Sequence, residues 1–217
     1  MEWTGIILAG GRSSRMGTNK AVLPIDGQPV IERLACELQK ATDEVIISCG
    51  PSALYAELGL PLRQDIYSGC GPLAGLHAGL AASARKWSLV VSCDMPFANA
   101  ALFRYMAEQA QMLENQRRGG HGEPMEAVIP YVGDRAQPLL AMYRRSVLPE
   151  LERALGEGHL RVNHWISSLP AKYISGEELG QASGLPAELA VFNMNQPEDY
   201  KTAQLYAEQQ NLGQRNC

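Results

Sequence analysis

Hydrophobic positions along this chain of 217 residues alternate between two periods. Gly5–Leu8, Val45–Cys49 and Ser88–Cys93 are short, nearly continuous apolar runs, the pattern of strands covered on both faces. Between them the spacing becomes helical. Val30, Ile31, Leu34, Ala35 and Leu38 share one face of a helix opened by Pro29, and Pro72 starts a helix over Leu73–Arg85. Leu102, Met106, Ala110 and Leu113 mark a third helix within Asn99–Leu113. Val147, Leu148, Leu151 and Leu155 mark a fourth, capped by Ser146 and closed by Gly156 and Gly158. The first strand is expected over Trp3–Leu8, a short extended piece over Ala21–Ile25 and a turn at Asp26-Gly27. Tyr55–Leu60 reads as a brief helix and Pro61–Gln64 as extended chain.

Farther along, Ala127–Tyr131 and Pro138–Tyr143 are expected as strands around Gly133-Asp134, the second of opposite sense. Val162–Ser167 reads as a short helix, Lys172–Ile174 as a strand, Ser175–Pro186 as loop and Ala190–Phe192 as a last strand. Pro197 opens a C-terminal helix with Glu198 and Asp199 against its dipole. Strand–helix alternation implies right-handed βαβ units, hence one α/β domain over 1–217: a three-layer fold with a mostly parallel sheet and helices on both faces. The polar, glycine-rich segment 114–126 is expected as a mobile surface loop.

Composition narrows the partners. Charged residues at 19% and hydrophobics at 46% are ordinary for a soluble protein. A net charge of -4 and a pI near 5.6 argue against a general nucleic-acid binder. No run approaches the ~18 apolar residues of a membrane span, and the N-terminus lacks a secretory pattern, so a cytoplasmic protein without membrane contact is expected. The five cysteines contain no Cys-x-x-Cys pair and read as free thiols, and the four histidines show no metal-ligand spacing.

The segment Gly5-Ile-Ile-Leu-Ala-Gly-Gly-Arg-Ser-Ser-Arg-Met-Gly-Thr-Asn-Lys20 changes that picture most. A buried strand breaks at Gly10-Gly11 into a stretch holding Arg12, Arg15 and Lys20 and no acid. Walker A spacing is excluded because Gly17 is followed by Thr18-Asn19-Lys20, and Gly10-Gly11-Arg12 does not supply a dinucleotide fingerprint. What remains is backbone able to approach a ligand closely, a guanidinium fork at Arg15 and a mobile ammonium at Lys20, which suit a polyphosphate. An ordinary βα turn with a solvated basic rim is the alternative. Asp94 follows a β run directly, so its carboxylate stands at the carboxyl edge of the sheet, where such folds bind ligands. On spacing alone it serves equally as a Mg²⁺ ligand or as a turn and helix-cap aspartate. Asn193 and Asn195 alternate on the expected last strand, pointing neutral oxygens the same way toward a metal shell or a phosphate.

Leu8-Ala9-Gly10-Gly11-x3-Arg15-Met16-Gly17-x2-Lys20 resembles the opening signature of nucleotidyltransferases. Gly71-Pro72-Leu-Ala-Gly-Leu76, Cys93-Asp94-Met-Pro96, Gln137-Pro-Leu-Leu-Ala-Met-Tyr-Arg-Arg145 and Phe192-Asn-Met-Asn-Gln-Pro-Glu-Asp199 narrow the resemblance to the molybdenum cofactor guanylyltransferases. It spans residues 5 to about 200. It implies a Rossmann-like, nucleotide-diphospho-sugar-transferase-like fold and transfer of GMP from GTP to the phosphate of molybdopterin, with pyrophosphate leaving and Mg²⁺ as cofactor. On this resemblance Leu8, Ala9, Gly10, Gly11, Lys20, Asp65, Gly71, Pro72 and Asp94 bind the nucleotide, Arg15, Lys20 and Asp94 act in catalysis, and Asp94 serves the metal. Asn193, Asn195, Arg144, Arg145 and Arg161 are the acceptor-binding candidates, with solvated arginines the alternative for the last three. Ser48 stands where some relatives carry a nucleotide-contacting asparagine. The resemblance also implies transient contact with molybdoenzyme-maturation proteins. Cytidylyl transfer to the same pterin, sugar-nucleotide synthesis, and a non-catalytic nucleotide-binding role are the competing readings.

Overall fold

The computed structural model describes residues 1–10, 19–50, 54–120 and 124–210. In chain order they form β1 (Thr4–Leu8), β2 (Pro24–Ile25), β3 (Gln28–Pro29), α1 (Val30–Gln39), β4 (Glu44–Cys49), β5 (Leu62–Gln64), α2 (Pro72–Ala82), β6 (Trp87–Ser92) and α3 (Ala100–Arg118). There follow β7 (Ala127–Val132), β8 (Arg135–Ala136), β9 (Leu140–Arg144), α4 (Leu148–Gly156), α5 (Val162–Ile166), β10 (Ala171–Ser175), α6 (Gly176–Ser183), α7 (Ala187–Ala190) and α8 (Pro197–Gln210). Eight strands make one sheet in the order β10-β7-β9-β6-β1-β4-β5, with β8 paired to β7, while β2 and β3 form a separate hairpin.

β5, β4, β1 and β6 run parallel. β9 is antiparallel to both β6 and β7, which returns β7 and its parallel neighbour β10 to the sense of β1. The reversal begins at Gly133-Asp134, where both residues have positive φ (56° and 57°), the two-residue hairpin geometry that matches strand twist.

Side-chain alternation along each strand sorts the core into two layers. Ile7, Leu89, Val91 and Met142 join the cluster under α1 and α3, whereas Ile6, Val90, Ala141 and Tyr143 join the one under α2 and α4. α2 lies close on β1 because Gly79 lacks a side chain: a Cβ there would stand 2.4 Å from Cγ2 of Ile6.

Several expectations are corrected. Segment 114–126 is not loop throughout: α3 continues to Arg118, because the buried Glu114 is ion-paired with Lys86 and Arg144 and the last turn carries Arg117 and Arg118. Residues 121–123 lie outside the described residues. Ser175–Pro186 contains α6, started by a capping box in which Ser175 and Glu178 satisfy each other's backbone and stopped by Gly184 at φ 69°. Ala190–Phe192 is no strand; α7 ends at Ala190, and the following chain is tied across to Asp94 instead. Ser146 does not cap α4, since its hydroxyl bonds Glu126. Ala21 and Val22 belong to a 3₁₀ turn over Lys20–Val22 rather than to extended chain. Cys49, Cys70 and Cys93 are free thiols.

Candidate active site

Parallel pairing brings several chain exits to one sheet edge. β1 ends at Leu8, in register with Ser48 of β4 and Ser92 of β6. Ala9 then donates to the Ser48 carbonyl at 2.8 Å and Cys93 to the Leu8 carbonyl at 3.0 Å, so the ladder persists as the chains leave the sheet. Ala9, Gly10 and Asp94 therefore share the carboxyl edge of the central strands, where an open α/β sheet leaves its crevice.

Lys20 reaches the same place from the 3₁₀ turn. Asn19 caps that turn, its Oδ1 accepting from the Ala21 amide at 3.1 Å. The Lys20 ammonium stands 3.8 Å from Oδ2 of Asp94 and donates to Oδ1 of Asn195 at 3.1 Å. Asn195 is delivered by the chain after α7: the Met194 amide donates to the Asp94 carbonyl at 2.9 Å. Asp199 in the first turn of α8 accepts from the Asn195 and Gln196 amides at 2.7 and 2.8 Å. Asn193 and Asn195 do not alternate on a strand, and they part: Asn195 faces Lys20, while Asn193 lines a cavity.

Asp94 meets the chemical requirement for a hard cation. Its Oδ1 is buried and has no hydrogen-bond partner among the described residues, a costly state for a carboxylate oxygen unless a ligand satisfies it. Among the described residues, no cluster of three or more His, Cys, Asp or Glu side chains could cage a metal alone. A single carboxylate with substrate phosphates completing the shell is the way Mg²⁺ is usually held. The neighbouring Cys93 is no nucleophile here: desolvation and the adjacent Asp94 charge push its thiol up to about 12.

Next to Asp94 opens a cavity of about 710 Å³ lined by Met95, Gln137, Leu139, Arg161, His164 and Asn193 among others. The arrangement thus offers a cation–carboxylate pair at a strand edge beside a mixed polar and apolar cavity.

Comparison with known proteins decides the family. Residues 5–172 match the family model of the MobA-like NTP transferase domain. A Pelotomaculum thermopropionicum protein named probable molybdenum cofactor guanylyltransferase is 37% identical over 213 residues, covering 98% of this chain and 97% of its own. The chain belongs to the molybdenum cofactor guanylyltransferase family. A protein of the same name from Carboxydothermus hydrogenoformans is 32% identical over 198 residues, 91% of this chain and 93% of its own. The crystal structure of molybdopterin-guanine dinucleotide biosynthesis protein A from Archaeoglobus fulgidus superposes with a TM-score of 0.77 at 26% identity, covering 95% of this chain and 99% of that one. The fold is accordingly the nucleotide-diphospho-sugar-transferase type that the signature residues implied.

Within this guanylyltransferase-family fold, Lys20, Asp94 and Asn195 converge beside Leu8, Ala9 and Gly10. Gly11, Arg12 and Arg15 lie outside the described residues. Gly71 and Pro72 form the N-terminus of α2 at the same edge, Gly71 adopting φ 66° and ψ -150°. Asp65 follows β5 there too, close enough to Cys49 for its charge to add to desolvation in raising that thiol. Ser48 is buried, and its hydroxyl donates to the Gly75 carbonyl at 2.7 Å; it fastens α2 to β4. Arg161 lines the cavity with Asn193.

Arg144 and Arg145 are not brought to this site. β9 runs opposite to β6, so Arg144 pairs with Trp87 at the amino end of β6, a strand's length from Asp94. Buried Arg144 faces Glu114 and Glu126 at 3.6 and 3.4 Å, and Arg145 bonds the Ser83 carbonyl. An antiparallel strand carries its C-terminal residues away from the carboxyl edge of its neighbours, which removes both from the acceptor candidates.

Two residues beside the site carried no flag in the sequence. Asn19 was legible as a cap before a short turn. Tyr55, whose hydroxyl meets Nδ2 of Asn19 and the Ala9 carbonyl, was not, since nothing local marks where that hydroxyl goes.

Proposed function

We propose that this protein transfers GMP from GTP to the phosphate of molybdopterin, releasing pyrophosphate and forming molybdopterin guanine dinucleotide, and that it does so with Mg²⁺ in the cytoplasm. The observation that carries the reading is the Lys20–Asp94 pair at 3.8 Å beside the cavity lined by Arg161 and Asn193. It supplies a phosphate-binding cation, a metal-binding carboxylate and room for a second substrate at one strand edge.

The attacking phosphate is already ionised at neutral pH, so no general base is required of the chain. Its task is to hold anions together and to neutralise charge. Lys20 engages the phosphates of GTP, and Asn195 directs the ammonium by accepting a hydrogen bond from it. Gly71 and the α2 N-terminus, with Ala9 and Gly10, present backbone to the nucleotide, and Asp65 contacts it from the β5 end. Arg161 and Asn193 take the acceptor. Asp94 would hold Mg²⁺, which when bound neutralises phosphate oxygens during the transfer.

Anaerobic incubation of the protein with molybdopterin, GTP and Mg²⁺ tests this, with the product followed by mass. The guanine dinucleotide is expected, with little product when CTP replaces GTP. Exclusive formation of the cytosine product would move the assignment to cytidylyl transfer. No pyrophosphate release with either nucleotide would leave only a binding role.

A further inference from the structure

We propose that Tyr55 is a positioning residue for Lys20, acting through Asn19. This deepens the nucleotidyl-transfer reading and rests on it. Tyr55 is only 3% exposed, yet it carries a hydroxyl that must be satisfied inside the protein. That hydroxyl accepts from Nδ2 of Asn19 at 2.7 Å and donates to the Ala9 carbonyl at 3.4 Å. One phenol thereby ties the residue that follows β1 to the residue that precedes Lys20. The same Asn19 side chain accepts from the Ala21 amide through Oδ1, so its amide plane is fixed from both ends. Lys20 lies between Asn19 and Ala21, in the 3₁₀ turn that this cap begins.

The chemistry suits a fixed strut. Desolvation outweighs the Asn19 hydrogen bond and raises the Tyr55 hydroxyl, so it stays a neutral donor. A phenylalanine would fill the same volume and leave the Asn19 amide and the Ala9 carbonyl each short of a partner. Linked bonds of this kind fix geometry more than any one of them does. The consequence is a turn whose ammonium is aimed at Asp94 and Asn195 before the nucleotide arrives.

The test is GTP·Mg²⁺ titration calorimetry on the full chain carrying Tyr55→Phe, Asn19→Ala, Lys20→Ala, and Lys20→Ala combined with each of the first two. Tyr55→Phe and Asn19→Ala are each expected to weaken GTP binding about 5- to 30-fold, through an ammonium no longer held in place before the nucleotide arrives. Each double variant should bind no worse than Lys20→Ala alone, because residues acting through one group do not add. Thermal melting of each variant identifies a chain that fails to fold, and Asn19→Ala, at a partly exposed position, carries the test should Tyr55→Phe do so. Additive losses, or unchanged GTP affinity in Tyr55→Phe and Asn19→Ala while Lys20→Ala binds weakly, would overturn the positioning role alone. Unchanged affinity in Lys20→Ala would overturn the nucleotide-site reading together with it.

Discussion

Gly79→Ala is a substitution whose cost follows from one distance. The added methyl would lie 2.4 Å from Cγ2 of Ile6, 3.1 Å from Cδ1 and 3.4 Å from Cγ1. Non-bonded carbons separate by about 3.5–4.0 Å, so more than an ångström of overlap must be relieved at Cγ2. Ile6 is fully buried in the central strand and stiff at χ1, so it cannot swing aside; α2 must lift from β1. Overpacking of this kind costs about 1–3 kcal/mol, and so deep an overlap belongs at the upper end. Alanine returns up to about 1 kcal/mol through helix propensity, leaving a net loss of about 2 kcal/mol. For a chain of this size that is a drop in Tm of about 4–8 °C. Differential scanning calorimetry would measure it. Ile6→Ala removes the offending Cγ2 and should make the double variant lose less than the sum of the singles, whereas Ile6→Val keeps Cγ2 and should give no such relief. A Gly79→Ala protein as stable as the parent, or strictly additive Ile6→Ala/Gly79→Ala losses, would refute the packing argument.

Three further outcomes are expected. Ser48→Ala should lose about 1 kcal/mol in chemical denaturation through its bond to Gly75 and leave GTP affinity unchanged; a tenfold weaker GTP titration would put the hydroxyl on the nucleotide. Arg161→Ala should raise KM for molybdopterin about tenfold with KM for GTP unaltered, and Arg144→Ala should cost about 3–5 kcal/mol of stability with no selective effect on the acceptor. Glu114 governs an acid transition: burial opposes its ionisation, but Lys86, with Arg118, outweighs burial and holds its carboxyl below 4.5. A depressed folded value means stability that is present above 4.5 and lost as pH falls through that lower value. Tm followed from pH 6 downward should therefore fall in the parent and stay flatter in Glu114→Gln; parallel curves would contradict it.

The central strands and the edge they define were legible because burial on both faces writes itself as unbroken apolar runs, as at Gly5–Leu8 and Ser88–Cys93. Those runs end at one edge, which is where Asp94 and Lys20 meet. The C-terminal third was less legible. The capping box Ser175-Gly-Glu-Glu178 was present in the sequence, but polar residues around a single buried Leu179 masked the helix. Ala190–Phe192 resembles a strand locally, and only the tertiary bond from Met194 to Asp94 decides otherwise. Arg144 and Arg145 adjoin a signature block, yet the direction of β9, a property of the whole sheet, sends them to the other edge. The role of Tyr55 depends on residues 46 and 36 positions away in the chain, a separation no local pattern carries.

The proposed transfer requires Asp94 to serve catalysis through a divalent ion. Single-turnover rates and GTP dissociation constants for Asp94→Asn, measured against Mg²⁺ concentration, address it most directly. Turnover is expected to fall on the order of 1000-fold or more while GTP binding weakens far less. Matched, mild losses in rate and affinity, with the Mg²⁺ dependence unmoved, would contradict it.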